Sequence, residues 1–173
     1  MRNFLKLIIG LGVLTVFPAL SFSGDALTLK SQYKRPLEIK FPKTAPYSPQ
    51  LVTLGKMLFF DPRLSGENNL NCASCHNPSF GYEVPVKTPI GATLTPLKRQ
   101  APTLLNMAWV APLFWDGRAE TLEEQAAGPI THPDEMGGEF ETIIKRLSKS
   151  PEYKKFFQYL FPQSGITREN ILK

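Results

Sequence analysis

Cysteine and histidine are scarce in this chain, with two of each among 173 residues. A disulfide framework is thereby excluded, and a structural zinc site, which takes four nitrogen or sulfur ligands, would consume every one of them. Charge of one sign is also in short supply. Lys and Arg number 20 against 15 Asp and Glu, for a formal charge of +5 that falls to +3 once Arg2 and Lys6 are set aside. Lys98-Arg99 and Lys154-Lys155 are isolated pairs on that background, so no basic stripe of the kind that tracks nucleic acid is present. Long apolar runs are missing beyond the amino terminus, and no internal repeat is visible. The one apolar stretch, Leu7 to Leu20, is interrupted by Gly10, Gly12 and Pro18 and is shorter than the roughly 18–20 residues of a spanning helix.

That stretch follows Arg2 and Lys6 and leads into Ser21-Phe22-Ser23. A positive start, an apolar middle and a small-x-small site predict a secretory signal peptide, residues 1–23, cleaved after Ser23, with a retained membrane anchor as the alternative. Export then gives a periplasmic protein with no stable membrane span after cleavage. Residues 24–47 carry Pro36, Pro42 and Pro46 without sustained period and predict an extended leader. The remainder, 48–173, suffices for one domain with a modest core. Its many prolines predict short helices separated by long loops.

Both cysteines and one histidine fall in a single pentapeptide, Cys72-Ala73-Ser74-Cys75-His76. C-x-x-C-H is the attachment signature for c-type haem: each thiol adds across a porphyrin vinyl group, and the following histidine is directed onto the iron. His76 is thus the expected metal ligand, through a neutral imidazole nitrogen. The rival reading is a redox dithiol, which calls for a βαβ setting that the flanking sequence does not offer. A plain disulfide between the two would leave His76 unexplained. Export agrees with the haem, because such attachment takes place outside the cytoplasm.

Ser48 and Pro49 are a helix start, and Leu51, Leu54 and Leu58 recur at helical spacing until Asp61-Pro62. Pro78 to Pro102 reads as one long loop, of a length that usually has a function. Thr121-Leu122-Glu123-Glu124 resembles a capping box opening a short helix that Gly128-Pro129 is expected to end. Phe140, Ile143, Ile144 and Leu147 predict one amphipathic helix. Tyr153, Phe156, Phe157, Leu160 and Phe161, capped by Ser150 with Pro151, predict the next. Thr167 looks like the cap of another, begun so near Lys173 that a partner domain or a truncated reading frame is expected. The fold class expected is all-α, cytochrome c-like. Met57, Met107, Met136 and His132 are candidates for a second axial ligand, and the residues alone do not choose between a filled and an open sixth position.

Five blocks carry a resemblance: Leu54-Gly-Lys-Met-Leu-Phe-Phe-Asp-Pro-Arg-Leu64, Cys72-Ala-Ser-Cys-His-Asn-Pro78, Arg99-Gln-Ala-Pro-Thr-Leu-Leu-Asn106, Phe114-Trp-Asp-Gly-Arg-Ala119, and Glu124-Gln-Ala-Ala-Gly-Pro-Ile130 with Glu135-Met136. In this order they resemble the amino-terminal, peroxidatic haem domain of the bacterial di-haem cytochrome c peroxidases and the related methylamine-utilisation di-haem enzymes. The resemblance spans about residues 45 to 173. It implies one covalent haem c, hydrogen peroxide as substrate, and a small redox protein, cytochrome c or cupredoxin, as electron donor. By position, His76 resembles the proximal ligand, Glu135 the distal acid and base, Gln125 the neighbouring distal amide, and Trp115 the aromatic residue between two haems. Arg99 is a candidate for a haem propionate.

A carboxylate at the distal position can take a proton from one peroxide oxygen and return it to the leaving one. Two departures from the family pattern stand out. The resting-state distal histidine that many members carry falls, with Arg99 aligned and no gap, on Ala92. The second haem domain is absent from this sequence, so electrons would come from a partner protein, a homodimer or a separate haem-domain subunit, or from an equivalent held on Trp115. Calcium, which members hold between their two domains, lacks that setting here. The rivals are a non-catalytic electron carrier or haem sensor and an inactive truncated half.

Overall fold

Ser48 opens the first helix as expected: its hydroxyl accepts the Leu51 N–H at 3.0 Å and Pro49 takes the first helical position. A computed structural model describes residues 30–34 and 36–173, so the expected signal peptide lies outside the described residues. The chain divides after Pro36 into two units, and the second, Leu37–Lys173, holds the core and the Cys72–His76 pentapeptide. Within the expected leader, residues 30–32 are helical rather than extended, in a stretch free of proline up to Pro36, while 37–47 form no regular element.

The helices of the second unit are α1 (Pro49–Phe59), α2 (Leu122–Thr131), α3 (Phe140–Leu147), α4 (Pro151–Leu160) and α5 (Arg168–Leu172). Short 3₁₀ turns cover Pro62–Leu64, Cys72–Ser74, Pro78–Phe80 and Met107–Trp109. Among the described residues no strand forms; isolated antiparallel bridges pair Asn77 with Glu83, Ile90 with Pro96 and Leu113 with Ala119. The all-α, short-helix, long-loop expectation holds.

Side-chain caps explain where the helices begin. Ser150 accepts from Tyr153, Thr121 from Glu124 and Thr167 from Asn170, each filling one orphan N–H of a first turn. Glu124 reaches back to the Glu120 N–H at 2.9 Å, one residue before the cap. One boundary is corrected: Gly128-Pro129 does not end α2, which runs on to Thr131. Pro129 sits in the last turn, where its missing N–H forfeits a single bond. The Thr131 hydroxyl donates to the Ala127 carbonyl at 2.9 Å and the His132 N–H to the Gly128 carbonyl at 2.9 Å, and these close the turn.

The core joins Leu54 and Leu58 of α1, Leu64, Ile130 of α2, Met136, Ile143 and Leu147 of α3, Tyr153 and Phe157 of α4, and Ile171 of α5. Every helix thus contributes its apolar stripe to one centre, and each fully buried Leu, Ile or Phe there stabilises the fold by about 1.5–3 kcal/mol. The core fixes the loops that matter through Arg146 on α3. Its guanidinium donates to the carbonyls of Ser65 at 2.6 Å and Gly66 at 2.7 Å, with a longer bond to Arg63 at 3.4 Å. Ser65, fully buried, accepts at its hydroxyl from the N–H groups of Asn69 and Leu70 and donates to the Pro62 carbonyl. The segment leading into the pentapeptide is therefore anchored to α3 rather than free.

Candidate haem site

Asn71 caps the turn that carries the two cysteines. Its side chain accepts the Ser74 N–H at 3.1 Å, the Ser74 hydroxyl accepts the Asn71 N–H at 3.1 Å, and Asn71 Nδ2 donates to the Phe60 carbonyl at 3.1 Å. The Cys75 and His76 N–H groups both close on the Cys72 carbonyl, at 3.2 and 2.8 Å. One tight turn therefore displays both thiols and delivers the histidine next to them. Cys72 and Cys75 are free thiols, half-buried. Burial pushes the Cys72 thiol up to about 11, and burial, then the charge of Glu135, also raises Cys75. Reactive dithiols work through lowered thiol pKa values, so these two are poorly suited to the redox-dithiol reading.

The histidine is the most informative side chain. Nδ1 of His76 lies 3.1 Å from the Tyr82 carbonyl and 3.1 Å from the Pro102 carbonyl. Both partners are acceptors, so Nδ1 must carry the proton and Nε2 is left with its lone pair for a metal. Tyr82 is itself located by its N–H on the Asn77 carbonyl at 2.9 Å and by an edge contact between its ring and Phe59 of α1. Two attachable thiols on one turn, with a histidine locked as the Nε2 ligand, fit a covalently held haem.

The other candidate residues begin with the loop after α2. Glu135 is half-buried there, its N–H bonded to the His132 carbonyl at 3.0 Å, and its charge acts on Cys75. Ala92 meets the same loop, its N–H bonded to the carbonyls of Asp134 at 3.1 Å and Glu135 at 2.8 Å. Ala92 and the Glu135 loop are thus joined main chain to main chain. Gln125 is half-buried on α2, ten residues before Glu135. Arg99 is exposed, and Trp115 is 83% exposed in the turn after Leu113. Among the described residues no hydrogen bond joins the side chains of Gln125, Arg99 or Trp115 to Glu135 or His76. Arg118 is engaged elsewhere, paired with Asp116 at 2.8 Å and stacked over Phe114 at 3.5 Å.

The candidates for a second axial ligand separate. Met136 is 7% exposed and belongs to the core, and Met57 packs against that core. Met107 is half-buried in its 3₁₀ turn. His132 is exposed, and its Nδ1 accepts the Asp134 N–H at 3.2 Å. In the neutral ring the proton is then on Nε2, the wrong tautomer for a ligand. Among the described residues no three His, Cys, Asp or Glu gather into a metal-binding group. Reading the sequence missed Tyr82 and Pro102, the acceptors that orient His76, because a backbone carbonyl carries no residue signature; only the Arg99–Asn106 block hinted at Pro102.

Short helices around one core, with a capped C-x-x-C-H turn and an oriented histidine, define a c-type haem-binding domain. The profile of the di-haem cytochrome c peroxidases matches residues 49–173, and the chain belongs to that family. It is 44% identical over 137 residues to the methylamine utilization protein MauG of Methylorubrum extorquens, covering 79% of this chain and 39% of that protein. It is 37% identical over 150 residues to the cytochrome c551 peroxidase of Nitrosomonas europaea, covering 87% of this chain and 44% of that one. A solved MauG-like protein associated with microbial copper homeostasis superimposes with a TM-score of 0.73 at 30% identity, over 81% of this chain and 43% of that one. The chain therefore spans about two fifths of the length of these relatives.

Proposed function

We propose that this chain is the peroxidatic haem domain of a periplasmic cytochrome c peroxidase, reducing hydrogen peroxide with electrons from a small redox protein, cytochrome c or cupredoxin. The haem, when bound, would supply the redox chemistry that reduces peroxide. Cys72 and Cys75 would hold the macrocycle, His76 would offer Nε2 to the iron, and Arg99 is a candidate partner for a haem propionate. On the distal side the Glu135 carboxylate takes a proton from one peroxide oxygen and delivers it to the other as the O–O bond breaks, so that the leaving group departs as water. Gln125 orients the peroxide by hydrogen bonding, and the exposed ring of Trp115 is the point at which an electron from a partner protein, a second subunit or a haem domain enters.

One observation carries this reading. The Ala92 N–H is shared between the carbonyls of Asp134 and Glu135, which joins the loop of the candidate acid to the segment where many family members place a distal histidine. That segment presents Ala92, a side chain with no metal-binding atom. A distal face with an acid–base group and no histidine suits peroxide better than pure electron transfer, for which a filled sixth position is the rule. The test is to mix haem-loaded chain with peroxide and a reduced cytochrome. Donor oxidation above that of free haem is expected, and Glu135→Gln should slow it by roughly 10²–10⁴. Oxidation no faster than free haem would sink the proposal.

A further inference from the structure

The loop around Glu135 is held by two glycine segments from elsewhere in the chain, one on both peptides that flank Glu135 and the other on the peptide that follows them. On one side the Ala92 N–H is shared between the carbonyls of Asp134 and Glu135, and Gly91 lies so close that a Cβ built on it would overlap the Asp134 carbonyl oxygen. One peptide further on, the Gly66 N–H donates to the Met136 carbonyl at 2.8 Å, and a Cβ on Gly66 would stand 2.5 Å from the Gly137 oxygen. Gly91 has no left-handed backbone that would demand glycine; what demands it is the approach of another main chain. The Gly91 segment is itself a closed unit, with Gly91 N–H bonded to the Thr95 carbonyl at 3.2 Å and Leu97 N–H to the Pro89 carbonyl at 2.9 Å. Gly66 is tied to α3 through Arg146.

We propose that Gly91 and Ala92 are positioning residues for Glu135: their main chain fixes both peptides flanking Glu135, with Gly66 holding the next one, and so sets where its carboxylate is presented to the haem site. The inference rests on the reading of Glu135 as the distal acid and base. It explains why a segment without any functional side chain is pressed against the acid's loop. Bound and reacting groups must be held within fractions of an ångström, and a shift of about 1 Å costs about 10²-fold in rate. A methyl group at position 91 must displace Asp134 and Glu135 by more than that, or push its own segment away.

The readout is ligand association with the haem-loaded chain, followed by stopped-flow absorption. Hydrogen cyanide must give up its proton to a neighbouring base to bind the ferric haem, whereas carbon monoxide binds the ferrous haem with no proton transfer. Glu135→Gln is expected to slow cyanide, Gly91→Ala to slow it about 10²-fold, and the double variant to be no slower than Glu135→Gln alone; carbon monoxide association stays unchanged throughout. Normal cyanide rates in Glu135→Gln would overturn the distal-base reading itself. Slow cyanide in Glu135→Gln with normal rates in Gly91→Ala, losses that multiply in the double variant, or an equal loss for carbon monoxide, would leave that reading standing and overturn the clamp. Should Gly91→Ala not fold, hydrogen exchange in the unmodified haem-loaded chain decides: the Ala92 amide is expected to be protected like a core-helix amide, and exchange at the rate of an exposed loop refutes the proposal.

Discussion

Replacing Arg146 by Met removes the guanidinium that ties the haem-bearing loop to α3 while keeping an unbranched stem against the core. Two short bonds are lost, and they are unequal. The Ser65 carbonyl belongs to a residue that is fully buried, and without its 2.6 Å donor it becomes an orphaned acceptor, at about 1–3 kcal/mol. The Gly66 carbonyl is half-buried and can turn to water, so its 2.7 Å bond contributes about 1 kcal/mol. A loss of about 2–4 kcal/mol is expected, which is a large share of the roughly 5–15 kcal/mol that a domain has in total. At a few degrees of Tm per kcal/mol for a domain of this size, the melting temperature should fall by about 10 °C. Urea unfolding of the haem-loaded chain, with the slope unchanged, measures it directly. Arg146→Lys, which keeps the charge but not the fork, should recover only part. A loss below about 1 kcal/mol for Arg146→Met would refute the idea that this guanidinium anchors the loop.

Two other expectations rest on the same geometry. Asp61 is buried at the end of α1; burial opposes its ionisation, but hydrogen bonds from the side chain of Arg63 and the hydroxyl of Tyr153, the latter at 2.6 Å, outweigh it and hold its pKa below the ordinary 3.8. A lowered folded-state pKa gives stability that is full above the unfolded value and is lost as pH falls through the folded one. Denaturant midpoints should therefore decline below about pH 4, and Asp61→Asn should flatten that decline; equal acid sensitivity in both proteins counts against the pair. At the proposed distal loop, Ala92→His places an imidazole at the position that aligns with the resting-state distal histidine of many family members. The ferric spectrum should turn low-spin and cyanide association should slow, and an unchanged spectrum would mean that position 92 does not face the iron.

Much of the architecture is legible in the sequence, and for local reasons. Ser48-Pro49 and Ser150-Pro151 announce α1 and α4 because capping chemistry is confined to a few neighbouring residues, and the stripe from Phe140 to Leu147 announces α3 because its period is plain. Pro129 misleads, since a proline in the last turn costs one bond and the residues around it can absorb that. Cys72, Cys75 and His76 are legible because their spacing is itself the chemistry. Glu135 is different: beside Asp134 in a loop it looks like any solvated acid, and only the family resemblance singles it out. Tyr82, Pro102, Gly66 and Gly91 are hidden, because they act through carbonyls, N–H groups or the lack of a side chain, and their partners are distant in sequence. Met136 reads equally as ligand or core until the loop holding it folds back on Leu64 and Ile143.

The central claim is a haem held by His76 whose opposite face is open to peroxide beside Glu135. It is tested most directly by the electron spin resonance spectrum of the ferric, haem-loaded chain at neutral pH. A predominantly high-spin signal that cyanide converts to low-spin is expected. A purely low-spin spectrum in the unmodified chain, from a methionine or histidine already on the iron, would contradict it.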